Sequence, residues 1–185
     1  MTEAQLTDPK ALRALSHPFR WKLIQLLTEE GPRTATQCSE KLGESVASCS
    51  YHLNMLAKYG FVTEVEGPGR QKPWQLVRKR QEISSDGLEG EAAMAAEAAA
   101  MAYLDQEFER TRERLRQREH LPEEWRASVG TEGTVKFLTA EESAAYVAEL
   151  QALLDKYDER RLDESLRPDG ARAVRFFLSH TVAPE

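Results

Sequence analysis

Cysteine is scarce in these 185 residues: Cys38 and Cys49 are the only two, and neither has another Cys or a His at zinc-finger spacing. They read as two small buried apolar side chains rather than as metal ligands or a disulfide. No apolar run reaches 18 residues, which excludes a transmembrane helix. The N-terminus lacks the charged-then-apolar pattern of a signal peptide, so the chain is expected to stay in the cytoplasm. Gly-rich phosphate loops, nucleophile elbows and metal-protease motifs are also missing. His17, His120 and His180 are too scattered to suggest a metal site. No enzyme, cofactor or metal is expected, and no membrane partner.

Charge is present but unevenly spread. The net charge of −6 argues against nucleic acid on its face. Residues 1–80, however, carry 12 Lys/Arg and 8 Asp/Glu, whereas residues 81–185 carry 13 and 23. The basic balance lies in the half that could meet phosphate.

Helix signals crowd that first half. Asp8-Pro9 opens one helix, with Leu12 and Leu15 on its apolar face. Pro18 starts a second that runs to about residue 29, with Phe19, Leu23, Leu26 and Leu27 at helical spacing. A short third helix is predicted over 36–42, ended by Gly43. Ser45 caps a fourth over 46–59, whose core positions are Val46, Cys49, Leu53 and Leu56. Residues 61–66 and 74–77 then read as strands around a Gly-rich, basic loop at 67–73.

Helix, tight turn, helix and basic hairpin together predict a winged helix-turn-helix. The fourth helix would enter the major groove. Its outer side shows Ser45, Ser48, Tyr51, His52 and Met55, a hydrogen-bonding surface with only Lys41 and Lys58 nearby. Arg20, Arg33, Arg70 and Lys72 would supply phosphate contacts, the last two from the hairpin tip. Each has a plainer alternative: an internal hydrogen bond for His52, a surface ion pair for Arg20, a solvated loop for Arg70 and Lys72.

The stretches "LSHPFRWKLIQLL" and "SYHLNMLAKYGFV" resemble the ArsR-like winged-helix regulators, and the likeness spans about residues 9–77. The resemblance implies a homodimeric, bacterial or archaeal DNA-binding protein, often a repressor. It is closer to the subset with an extra C-terminal region than to the minimal metal sensors. Metal-sensing members carry Cys-x-Cys where this chain has Thr34 and Thr36, so metal sensing is not implied.

The fold class expected for the whole chain is mainly α with a small β component. A domain over 1–80 is followed by a second region over 81–185. That region opens with a long helix over 88–119, alanine-rich at 92–102, with Met94, Met101, Phe108 and Leu115 every seven residues. This row suggests a seam against another helix, and the small residues on one side of the helix suit a dimer contact; the alternative is packing inside one chain against the C-terminal strands and helix. Strands are expected over 134–138 and 173–179, flanking a helix over 140–161 that Thr139 and Glu142 cap. Residues 81–185 would hold a homodimer, with a small-molecule effector as a further expected partner. The competing function is a winged helix that binds protein and not DNA, favoured by the acidic whole and the weakly charged outer face.

Overall fold

A computed structural model describes residues 6–77 and 83–183. The basic run Arg78-Lys79-Arg80 and the expected boundary near residue 80 lie outside the described residues. Two compact units divide the chain, Met1–Arg112 and Glu113–Glu185.

The first unit is built from short, well-capped helices. α1 (Pro9–Leu15) starts where Asp8 Oδ1 accepts from the Lys10 N–H at 2.9 Å. α2 (Pro18–Glu30) is capped by His17, whose Nδ1 accepts from the Phe19 N–H at 3.2 Å. α3 (Ala35–Leu42) has a reciprocal cap. Thr34 Oγ1 accepts from the Gln37 N–H at 3.2 Å, and Gln37 Oε1 accepts from the Thr34 N–H at 2.8 Å. Gly43 ends α3 at φ 68°, a conformation that a side chain disfavours. Two residues later Ser45 Oγ accepts from the Ser48 N–H at 3.1 Å and α4 (Val46–Lys58) begins.

A two-stranded hairpin follows. β1 (Val62–Glu64) runs antiparallel to β2 (Trp74–Leu76), with Thr63 opposite Gln75. Arg33 adds its backbone to the other edge of β2: its N–H meets the Trp74 carbonyl at 3.1 Å and its carbonyl accepts from Trp74 at 2.8 Å. The loop before α3 is thereby tied to the wing. At the wing's narrow point a Cβ on Gly67 would lie 2.7 Å from Pro73 Cδ, so only glycine fits there without a shift.

These elements enclose one apolar core. Leu12, Leu15, Trp21, Leu23, Cys38, Cys49, Leu53, Leu56 and Phe61 are fully buried in it. α5 (Gly90–Arg116) contributes Ala95, Ala96 and Ala99 to the same cluster, and Tyr103 meets the Trp21 ring with centroids 4.8 Å apart. The alanines therefore pack inside the chain, against the N-terminal helices, and not across the dimer contact expected of them. Their small volume lets the α5 backbone approach closely. Met94 is 73% exposed, and Met101 and Phe108 are also exposed, so these three positions of the seven-residue row face outward, while Leu115 is half-buried. Val46 departs from expectation. As the first residue of α4 it is exposed, and the core side of α4 starts at Cys49.

In the second unit no described side chain is fully buried. A 3-10 turn at Arg118–His120 precedes α6 (Glu123–Arg126) around Trp125. Thr139 and Glu142 form the expected reciprocal cap on α7 (Ala140–Asp155). α7 ends six residues earlier than expected, and α8 (Glu159–Leu162) is a separate turn. The strands expected over 134–138 and 173–179 are not formed. Both segments have β-prone residues, but propensity yields a strand only where a neighbour completes the ladder. Phe137 is 98% exposed as a result.

Candidate nucleic-acid interface

α3, the Gly43–Ser45 turn and α4 form a helix-turn-helix. The periodicity of α4 fixes its two faces. Cys49, Leu53 and Leu56 are buried, which leaves Ser45, Ala47, Tyr51, Asn54 and Lys58 exposed on the other side. Tyr51 is 60% exposed and presents its ring and hydroxyl outward. Ser48 is half-buried one turn earlier. Ser45 sits at the tip, with its hydroxyl occupied as the helix cap.

Asn54 belongs to this face and was not singled out from the sequence. It lies three residues after Tyr51, the spacing that places two side chains on one helical face. Its Nδ2 donates to the Ser50 carbonyl at 2.8 Å, a bond that does not use the amide oxygen. An amide side chain is the natural reader of an adenine edge.

His52 points elsewhere. Its ring contacts His17 at 4.5 Å between centroids, Phe19 at 5.1 Å and Tyr51 at 5.1 Å. Nδ1 of His52 is buried and has no hydrogen-bond partner. Burial lowers the pKa of this imidazole, with the neighbouring His17 and Arg20 adding to the effect. The cluster joins the start of α2 to the middle of α4.

Arg20 corrects the expectation of a phosphate contact. It is only 8% exposed, and its Nη1 donates to the Ala14 carbonyl at 2.6 Å. The side chain ties α1 to α2. Arg33 is half-buried, with Nε on Glu30 Oε2 at 3.3 Å and Nη1 on the Pro32 carbonyl at 2.8 Å. Lys41 reaches the same Glu30 at 2.9 Å, and these two cations hold the Glu30 carboxyl below its ordinary pKa, Lys41 foremost.

The wing tip carries Arg70 and Lys72 on the surface. Lys72 Nζ lies 3.6 Å from Glu64 Oε2, so it is partly neutralised across the hairpin. Arg70 follows Gly69, which turns the tip at φ 66°. Among the described residues no group of three or more His, Cys, Asp or Glu is placed to hold a metal ion. Within those same residues no helix is long and apolar enough to cross a membrane.

Residues 15–65 match a family model described as a helix-turn-helix domain. No curated protein matches the chain. The match runs from the end of α1 through α2, α3, α4 and β1, the elements that carry the Tyr51 face. Residues 15–65 are thus similar to the helix-turn-helix family and fold as such a domain, which points to a DNA-binding regulator in general.

Proposed function

We propose that this chain is a sequence-specific transcriptional regulator of the ArsR-like kind, acting as a homodimer and, by that resemblance, as a repressor. The observation that carries the reading is the exposed face of α4. It offers Tyr51, Asn54 and Ser48 to base edges and phosphates, on a helix held by a capped α3 and a glycine turn. Arg70 and Lys72 extend the contact from the wing. In a two-fold dimer the two α4 helices would read half-sites about one helical turn apart, or a multiple of it. The outward row of Met94 and Met101 supplies apolar surface for such a dimer.

A mobility-shift assay at low salt, with duplexes from the DNA upstream of the chain's own gene, tests this. A specific shift lost in a Tyr51→Ala, Asn54→Ala variant is expected. A second reading, a winged helix that binds protein and not DNA, is favoured by the ion pairs that occupy Arg33 and Lys72 and by the burial of Arg20. Absence of any specific shift with the folded protein would favour that reading.

A further inference from the structure

The contact between His17 and His52 lies apart from the exposed face of α4 and from the wing tip. It joins two residues that do separate work. His17 caps α2 and is itself exposed, whereas His52 lies on α4 beside Tyr51. We infer that His17 is a positioning residue for the recognition helix α4, and that the His17–His52 contact makes that positioning proton-dependent: it holds while both imidazoles are neutral and opens when either takes up a proton.

The hydrogen bond at His17 and the burial of Nδ1 at His52 both favour the neutral forms. His17 Nδ1 accepts the Phe19 N–H, so it must keep its lone pair, and a proton there would remove the cap of α2. His52 Nδ1 is buried without a partner, so a proton there would be a buried donor lacking an acceptor. The rings are 4.5 Å apart, and a charge on both would be strongly repulsive.

The surrounding groups reinforce this. From α2 the buried Arg20 guanidinium adds a like charge to both histidines. From α4, the Tyr51 ring meets His52 edge-on. The phenol of Tyr59, which follows α4, interacts with Arg20. From the turn before α4, Glu44 alone favours a cationic His52. Burial, the first cause at each histidine, outweighs Glu44 at His52 and a backbone hydrogen bond that favours the cation at His17, and both imidazoles sit below the ordinary value.

The consequence for DNA runs against simple electrostatics. A cationic imidazole near phosphate would strengthen binding on acidification. Opening the α2–α4 junction would weaken it, by up to about tenfold per pH unit for each proton taken up. This consequence rests on the DNA reading; the protonation of the pair does not.

The test uses the full chain and its His17→Asn variant, since asparagine caps a helix well but cannot titrate here. Thermal midpoints are measured from about pH 7.5 to about pH 5.5. Affinity is measured over the same range for the tightest duplex selected from a random pool about 30 base pairs long. Both midpoint and affinity are expected to fall with acid in the wild type and to stay flatter in H17N. Parallel profiles for the two proteins, or a wild-type affinity that rises with acid, would overturn the inference. If no duplex is retained at the upper pH, the DNA reading fails while the midpoints still decide the histidine pair. Should H17N not fold, proton NMR titration of the wild-type imidazoles decides: inflections below about 6.5 support the inference, and inflections at or above it refute it.

Discussion

Arg20 carries the charge that a phosphate contact needs, yet the first turn of α2 aims it at the Ala14 carbonyl. Replacing it with alanine leaves that carbonyl without its donor and opens space beside α1. Arg20→Ala is expected to lower stability by about 1–3 kcal/mol in urea unfolding, with Arg20→Met recovering part of the loss. The salt dependence of DNA binding should not change. Glu30 answers to acid. Its carboxyl is held down by Lys41 and Arg33, so the pairs stabilise the fold fully above the ordinary glutamate range and are lost as pH falls through the lower folded value. Unfolding curves below pH 5 should therefore decline more steeply for the wild type than for Glu30→Gln, by a small margin because the pairs are partly solvated. The meeting of His17 with His52 was hidden for a related reason. Thirty-five positions separate them, and only the packing of α2 on α4 brings the rings together.

Elements were legible wherever a cap marked them. Asp8-Pro9, Ser45 before Val46, and Thr139 with Glu142 each begin a helix where local chemistry places it. Such signals are read within four residues, so they survive ignorance of the fold. Ser45→Ala removes the cap of α4 and should cost about 0.5–2 kcal/mol, with denaturant midpoint and DNA affinity falling together because the same turn aims α4. Two features escaped because they depend on distant partners. The segments 134–138 and 173–179 have strand composition but no ladder. The alanine side of α5, expected at a dimer contact, instead packs into the N-terminal core, and Met94 and Met101 lie on the opposite side of the helix. If the outward row holds a dimer, Met101→Glu places charge in an apolar contact. Sedimentation at micromolar concentration should then show a shift from dimer to monomer without loss of helical circular dichroism. A variant that stays dimeric would send the interface elsewhere.

For the whole molecule, composition hid what distribution revealed. An acidic chain keeps its basic balance in residues 1–80, and the helix-turn-helix match falls inside them. Among the described residues several of those cations have partners. Arg33 and Lys41 share Glu30, and Lys72 leans on Glu64. Arg70 at the wing tip is then the strongest candidate for counterion release. Arg70→Ala should reduce the slope of log affinity against log salt by about 1, whereas Lys72→Ala should change it less.

Cys38 and Cys49 gain a practical meaning from their place between α3 and α4. Both are fully buried, and burial pushes the Cys38 thiol up to about 11, with Cys49 raised in the same direction. Neither sulfur is a ready nucleophile in the closed domain. A thiol-directed dye therefore has to wait until the two helices part. Because the chain holds no other cysteine, its uptake by the unmodified protein is a built-in clock for the opening of the motif that would read DNA.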